Sequence, residues 1–260
     1  ATEANFTKKV KKYYFDKSIY DRRVYRGELH PDKKAELVYG NNIADWPEQI
    51  ALADNLLIKA VSVISDPVTT TDELIPSGET SSYRSNPLRL AEFALSRKDP
   101  EYVGRAKQVR AAEEERRRTG KLPQAVLDEV GIRIAEDTMF GSCVVAKKPG
   151  DGSAREQAAS CQRVLGGVAN IALEYATKRY RSNLINWGML PLVCKNFDFK
   201  AGDYIYIENI TGYVTADDPS IPAKHISGGK VKTIYLTLGA LTAEEKQIIL
   251  KGCLINYNKR

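Results

Sequence analysis

The stretch Gly150-Asp151-Gly152-Ser153-Ala154-Arg155-Glu156 lies between two segments of different pattern. Upstream, Ser142 to Ala146 is short and apolar, which is typical of a buried β-strand. Downstream, Ala154 to Leu165 has the length and spacing of a helix and is followed by two glycines. The sequence therefore predicts a strand, a glycine turn and a helix. Repeated alternation of strand and helix patterns along the chain indicates an α/β fold.

The start of this predicted helix admits two interpretations. The first N–H groups of a helix are unpaired and carry a partial positive charge, and glycines let a ligand approach the backbone, so the turn is a candidate anion site. Arg155 adds a planar guanidinium suited to a carboxylate. Ser153 and Glu156 also have the spacing of a capping box, which needs no ligand. Spacing alone leaves both interpretations open.

Gly150 to Ala159 resembles the G-E-G-S-S-R-E-H-A-A motif of the aconitase family of hydro-lyases, which belongs to that family's C-terminal swivel domain. Further stretches resemble segments of the same family in the same order: Val68 to Asp72, Ser82 to Ser85, Val164 to Ala169, and Asn183 to Leu192. Together they cover about Leu56 to Val193. The resemblance implies a swivel-type β/β/α domain within the α/β class. The largest departure from the family pattern is interpreted as a helical insertion at about residues 98–136.

The resemblance also implies roles for individual residues in removing water from a hydroxy-polycarboxylate. Ser153 matches the serine that acts as an alkoxide base. Arg84 and Arg155 match arginines that bind substrate carboxylates, and Asp72 matches an active-site acid. Ala154 stands where the family has a second serine that contacts the substrate, which leaves the exact substrate and retained activity open.

The residues themselves permit simpler roles for two of these positions. Asp72 follows a predicted strand and three threonines, so it also suits a helix cap or a turn. Arg84 lies in a polar loop and also suits an ordinary surface position.

The family's Lewis acid is a 4Fe-4S cluster held by three cysteines. This chain has four cysteines without metal-ligand spacing and two isolated histidines: Cys143, Cys161, Cys194, Cys253, His30 and His225. We expect reduced, mostly buried thiols and no cluster ligands here. The resemblance then implies that other domains of a longer polypeptide, or a large subunit, hold the cluster. This chain alone is expected to be inactive.

Composition is compatible with these expectations. The 260 residues are 43% hydrophobic and 28% charged, which is ordinary for a globular domain. The net charge of +6 suits acidic small molecules and is also compatible with nucleic acid. Since no apolar run is long enough to cross a membrane and no signal peptide is visible, we expect the cytoplasm or the mitochondrial matrix.

Residues 1–54 are predicted to form an arm or linker that packs on a domain of residues 55–260. The arm is basic and tyrosine-rich, particularly from Lys8 to Phe15 and at Tyr25 and Arg26. Interleaved bases and aromatics stack on single-stranded nucleic acid, so an RNA-binding or regulatory module is the alternative function. We favour the enzyme, because RNA binding does not need the serine, the arginines and the acid together. A polycarboxylate binder without turnover is a third possibility.

The coarse secondary structure is predicted from periodicity. In the insertion, Tyr102 to Arg118 is expected to be an exposed, self-paired helix ended by Gly120, and Pro123 to Ile134 a second helix. Further helices are predicted at Glu48 to Ala53, Leu88 to Leu95, Tyr175 to Trp187 and Thr242 to Leu250. Strands are predicted at Asn55 to Ser65, Val168 to Leu173, Tyr204 to Ile207 and Val231 to Leu238.

Overall fold

The computed structural model describes residues 13–23, 30–217 and 220–259. The chain divides into two compact units between Tyr39 and Gly40, before the predicted boundary at residue 54. In the first unit, helix α1 spans Ser18–Arg23. Tyr13, Tyr14 and Phe15 are exposed in the structure. That the arm packs on the domain stays a prediction. Lys8 to Lys12, Tyr25 and Arg26 lie outside the described residues.

The second unit is built on a seven-stranded sheet. The strands, in chain order, are β1 (Leu56–Ile64), β2 (Thr69–Thr70), β3 (Met139–Ala146), β4 (Pro149–Asp151), β5 (Gly167–Ala172), β6 (Leu190–Val193), β7 (Tyr204–Ile207), β8 (Ile221–Ser227) and β9 (Lys230–Leu236). The large sheet has the order β6-β5-β3-β1-β7-β8-β9, and β2 pairs with β4 apart from it.

The helices of this unit alternate with the strands in its first part, as the α/β prediction requires. They are α2 (Thr71–Leu74), α3 (Pro87–Ala91), α4 (Tyr102–Thr119), α5 (Gln124–Val130), α6 (Arg155–Val164), α7 (Lys178–Asn186), α8 (Ile210–Thr215), α9 (Ala243–Leu250) and α10 (Leu254–Asn258). The predicted α/β class is therefore confirmed.

The sheet combines two kinds of pairing. β1, β3, β5 and β6 are parallel, whereas β7, β8 and β9 are antiparallel. β3 and β5 are buried along their whole length, as is usual for parallel strands covered on both faces. An antiparallel bridge between Val193 and Thr237, with N–O distances of 2.8 and 3.0 Å, joins the two ends of the strand order. The sheet is consequently curled back on itself.

The alternation of side chains along β1 separates two cores. Leu57 and Val61 face the helical layer of α3, α4 and α6, where they meet Phe140 and Val144 of β3. Leu56, Ile58 and Ala60 face the inside of the curled sheet, together with apolar side chains from β5 to β9. This period-two alternation places α6, and the loop that leads into it, on the outer face of the parallel strands.

Helix α4 has a buried face, so the expectation of an exposed helix is wrong. Tyr102, Ala106, Val109 and Glu113 are buried against the sheet. Oε2 of Glu113 accepts a hydrogen bond from the backbone N–H of Phe140 across 2.9 Å and pairs with Arg116 Nε at 2.7 Å. The charged side chain of Glu113 is therefore part of the contact between α4 and the sheet and does not lie on an exposed surface.

Other helix boundaries differ in part from the prediction. Gly120, at φ 79°, ends α4 as expected, whereas α5 stops at Val130 because Gly131 adopts φ 65°. The predicted helix from Glu48 to Ala53 is wrong. The backbone groups of this segment pair with distant chain segments: Leu52 N–H donates to Leu250, and Ile50 O accepts from Arg163. The boundaries of the insertion, 98–136, remain a prediction.

Candidate functional site

Two short strands bring Asp72 and Ser153 to the same edge of the fold. β1 and β3 are parallel, so their carboxyl ends lie at one edge, and each is followed by a short strand and a helix. The short strands β2 and β4 pair in parallel, with Thr70 opposite Asp151. Asp72 and Ser153 each follow these paired residues by two positions. Ligands of open α/β sheets bind outside the carboxyl ends of the strands, which makes this edge the candidate site.

Glycine is required at two positions of the loop that carries Ser153. Gly152 has φ 125°, and a Cβ on it would stand 2.3 Å from Thr71 Oγ1. Gly150 has φ 98°, and its Cβ would stand 2.3 Å from the ring of Tyr180. The loop is therefore held between α2 and α7, and no other residue type fits these positions without displacing a neighbour.

Ser153 does not cap the helix that it precedes. Helix α6 begins at Arg155, and Ala154 occupies the N-cap position without a side-chain hydrogen bond. Oε1 of Glu156 accepts a hydrogen bond from Nε1 of Trp187 at 3.0 Å. The capping-box interpretation of Ser153 and Glu156 is therefore wrong, and the exposed Ser153 side chain has no structural role as a cap.

Arg155 and Ala154 occupy half-buried positions at the start of α6. Ala154 packs against the core of the helical layer. Nε of Arg155 is buried and has no hydrogen-bond partner among the described residues. A buried, unpaired guanidinium N–H is costly and calls for a partner that the described chain does not supply.

Asp72 forms an ion pair and is not a helix cap. Thr70 caps α2, with Glu73 completing a capping box. The carboxylate of Asp72 accepts from Nη1 of Arg97 at 2.6 Å, and Arg97 also binds Glu79. The ion pair with Glu79, assisted by Asp72, raises the pKa of Arg97. No local pattern indicated a role for Arg97, because its partners lie 25 and 18 residues away in the chain.

Arg84 is exposed and is connected to the other site residues less directly. It follows a 3-10 turn at Ser81–Tyr83, and its Nη2 lies 3.5 Å from the carbonyl oxygen of Ser77. Asn86 then caps α3, which packs on α6. The structure thus joins Asp72, Ser153 and Arg155 through β2, β4 and α6, and joins the Arg84 segment to them through helix packing.

A buried polar network supports α6 from behind. The hydroxyl of Tyr180 donates to Oδ1 of Asn170 at 2.8 Å and accepts from Nε2 of Gln162 at 2.9 Å. Nδ2 of Asn170 in turn donates to Oε1 of Gln162 at 2.7 Å. Burial raises the pKa of Tyr180, which keeps its hydroxyl protonated as a donor. The closed network ties α6 to β5 and α7, and a fully satisfied network of this kind rigidifies its surroundings.

The predicted thiols are confirmed as free and buried at all four cysteines. Burial raises the pKa of Cys143 and of Cys161, so both stay protonated. Nε2 of His225 lies 2.8 Å from Oδ2 of the buried Asp203. Within residues 13–23, 30–217 and 220–259, no group of three or more His, Cys, Asp or Glu is arranged to hold a metal ion. The donor set of these residues does not fit an iron–sulfur cluster.

The fold and site define a class: an α/β protein with serine and arginine at an uncapped helix start, on the carboxyl edge of parallel strands. Residues 107–197 match the model of the aconitase C-terminal domain. This match confirms the resemblance for that segment, about a third of the chain, which contains Ser153, Ala154 and Arg155. Asp72 and Arg84 lie outside it, and it begins within the segment predicted as an insertion.

The structure is also similar to the crystal structure of 3-isopropylmalate dehydratase (LeuD) from Methanocaldococcus jannaschii. The two are 20% identical with a TM-score of 0.48, over 79% of this chain and 93% of the other. A search of curated proteins gave no match. In the described part of the chain, no helix is both long and apolar enough to cross a membrane.

Proposed function

We propose that this chain supplies one face of the active site of an aconitase-like hydro-lyase that acts on a hydroxy-polycarboxylate. The observation that carries the proposal is the start of α6, where the glycine loop presents Ser153 without using it as a cap. Arg155, with its buried and unpaired Nε, follows two residues later. The family match over residues 107–197 supports this assignment.

Ser153 is assigned the role of the base. A serine hydroxyl is a poor base near neutral pH, so its alkoxide must be stabilised by its surroundings. The free N–H groups of the first turn of α6 carry partial positive charge, and the guanidinium of Arg155 carries a full one. Both follow Ser153 within a few residues of the chain. Both favour the deprotonated form of Ser153, and this is the arrangement by which sites shift a pKa.

The arginines are assigned to substrate carboxylates. Planar guanidinium groups bind carboxylates through two parallel hydrogen bonds, and the unpaired Nε of Arg155 offers one such donor. Arg84 is exposed and makes only a long contact with Ser77 O, so its guanidinium is available to a ligand. Asp72 is assigned a supporting role, because its carboxylate holds Arg97 at the same edge.

The proposed site needs a second surface to complete it. Ser153, Asp72 and Arg84 are exposed, whereas dehydration chemistry is favoured in a site from which water is excluded. The described residues also do not fit a cluster. We therefore assign the group that assists departure of the hydroxyl to cluster-bearing domains of the same polypeptide or to a large subunit.

The test is Ser153→Ala in the complete enzyme, this chain together with its cluster-bearing part, assayed with citrate and with isopropylmalate. We expect kcat to fall by about 10²–10⁴-fold while KM changes little, since the base acts on the transition state. Ser182→Ala is the matched control, because Ser182 is an exposed serine on α7. A near-normal kcat in Ser153→Ala would contradict the proposed role of Ser153 as the base.

An RNA-binding module is the second candidate, and one observation favours it. Tyr13, Tyr14 and Phe15 are 90, 88 and 69% exposed beside a basic segment. Exposed aromatics among bases stack on single-stranded nucleic acid. If this function is correct, single-stranded RNA binds with strong salt dependence, and Tyr14→Ala weakens binding. The enzyme remains our conclusion, because stacking on RNA does not explain the uncapped Ser153 or the unpaired Arg155.

A further inference from the structure

We infer that residues 40–50, here called the strap, position both arginine-bearing segments of the candidate site. This inference rests on the proposed function and assigns Asn42 and Trp46 as positioning residues. The strap has no regular secondary structure, yet both of its ends and its middle are bound to other elements of the second unit. Its contacts fall on either side of Arg84, and through Trp187 it is linked to Glu156, the neighbour of Arg155.

The first part of the strap holds the loop that carries Arg84. The side-chain amide of Asn42 donates a hydrogen bond to the carbonyl oxygen of Ser82. The backbone N–H of Ala44 donates to the carbonyl oxygen of Ser85 at 3.0 Å. These two bonds bracket Arg84, whose own side chain contributes only a 3.5 Å contact to Ser77. The strap therefore supports the Arg84 loop beside two local supports, the 3-10 turn at Ser81–Tyr83 and the cap of α3 at Asn86.

The middle of the strap reaches the first turn of α6 through a pair of tryptophans. The rings of Trp46 and Trp187 are 4.4 Å apart at an angle of 44°. Nε1 of Trp187 donates to Oε1 of Glu156, the neighbour of Arg155 in the chain. Aromatic pairs at this separation contribute beyond the area they bury. Trp46 thus covers the indole of Trp187, which is hydrogen-bonded to Glu156 in the first turn of α6.

The last part of the strap is anchored by the other end of the same helix. Nε of Arg163 donates to Oε1 of Gln49 at 2.8 Å, and its Nη2 donates to Ile50 O at 3.2 Å. Nδ2 of Asn256 donates to Gln49 O at 2.7 Å. The strap therefore binds Arg163 near the end of α6 directly, and it is linked to Glu156 near the start of α6 through Trp187. A shift of the strap would move the two arginine-bearing segments relative to each other.

Two substitutions test the strap in the complete enzyme with the substrate that the wild type turns over, citrate or isopropylmalate. In Trp46→Ala and Asn42→Ala we expect KM to rise by about tenfold with kcat changed much less, because misplacement weakens carboxylate binding in ground and transition state alike. Trp46→Phe keeps an aromatic ring and should restore KM. Tyr235→Ala, which removes an aromatic ring that is 65% exposed on β9, is the matched control.

Fluorescence gives a readout that is independent of turnover. Trp46 and Trp187 are the two tryptophans of the chain, and Trp187 is 8% exposed beneath Trp46. Acrylamide should quench Trp187 more strongly in Trp46→Ala than in Trp46→Phe. Equal quenching in the two variants would show that Trp46 does not cover Trp187 and would overturn the positioning role of the strap.

The possible outcomes separate this inference from the proposed function. Normal wild-type turnover with unchanged KM in both Trp46→Ala and Asn42→Ala overturns the positioning role alone. Absence of wild-type turnover with either substrate overturns the proposed function and the positioning role with it. A raised KM in Trp46→Ala that Trp46→Phe also shows would mean general damage and would count against the strap.

Discussion

Gly152 lies so close to the hydroxyl of Thr71 that a Cβ on Gly152 would stand 2.3 Å from Oγ1. Non-bonded atoms do not approach this closely, and the φ of 125° at Gly152 is itself unfavourable for other residues. Contact and conformation therefore both exclude a side chain here. The position of Ser153 depends on this contact, because Ser153 is the next residue in the loop.

Gly152→Ala should consequently lower stability and displace Ser153. The positive φ alone costs about 1–2 kcal/mol, and overpacking against Thr71 adds about 1–3 kcal/mol. Gly202→Ala is a matched control, since Gly202 has φ 96° but no atom within 4 Å of the added Cβ. Urea unfolding of both variants measures the difference. Equal destabilisation would show that the Thr71 contact has no energetic weight.

Arg163 is buried without a carboxylate partner among the described residues and binds acceptors on three chain segments. Burial lowers its pKa to about 10, which leaves it charged at neutral pH. Arg163→Met should destabilise the protein by about 3 kcal/mol or more, because the carbonyl oxygens of Ile50, Gly167 and Gly252 lose their donor.

Unfolding in urea tests this prediction at neutral pH. Arg118→Met, at an exposed position of α4, should change stability by less than about 0.5 kcal/mol. Arg163→Lys should also be destabilised, since a single compact ammonium group cannot donate to acceptors on several chain segments at once. A fully stable Arg163→Met would mean that the chain segments at Gln49 and Gly252 are held by other contacts.

Glu73 gives a prediction for the pH dependence of stability. Burial raises its pKa, but the hydrogen bonds from Thr70 N–H and from Lys98 together outweigh burial, so the pKa is lowered from 4.5. A carboxylate with a lowered folded-state pKa stabilises the protein above its unfolded pKa. That stability is lost as pH falls through the folded-state pKa.

Glu73→Ala should therefore cost about 1 kcal/mol at pH 7, the usual loss of a capping interaction. The difference in free energy of unfolding between wild type and variant should shrink as pH falls below 4.5. Urea unfolding from about pH 3 to about pH 7 measures this difference. Glu115→Ala, on the exposed face of α4, is the control, and a pH-independent difference would contradict the assignment.

Features with a local physical cause were predictable from the sequence. The strand, glycine turn and helix around Ser153 follow from apolar spacing and from glycines that adopt positive φ. Thr242 and Glu245 have the spacing of a capping box, and this box is present at the start of α9. Gly120 ends α4 because a left-handed residue terminates a helix without a steric penalty. In each case the deciding atoms lie within a few residues of one another.

Features decided by distant residues were not predictable in this way. The pattern of Ser153 and Glu156 equals that of Thr242 and Glu245, yet Glu156 binds Trp187, 31 residues further on. Arg163 lies within a predicted helix, but its partners Gln49 and Ile50 are more than 100 residues away. No local period reports such contacts, because they arise only when separate elements pack together.

The strand order has a consequence for synthesis of the chain. β1 is the first strand of the large sheet to be synthesised, and it occupies the centre of that sheet. β3, β5 and β6 then add in turn on one side of β1, and β7, β8 and β9 add on the other side. A nascent chain thus completes the parallel half, with the loop of Ser153, while the other edge of β1 is still unpaired. That edge stays open until Tyr204–Ile207 leaves the ribosome. An unpaired strand edge is a template for pairing with other chains, so the nascent chain is exposed to aggregation during this interval.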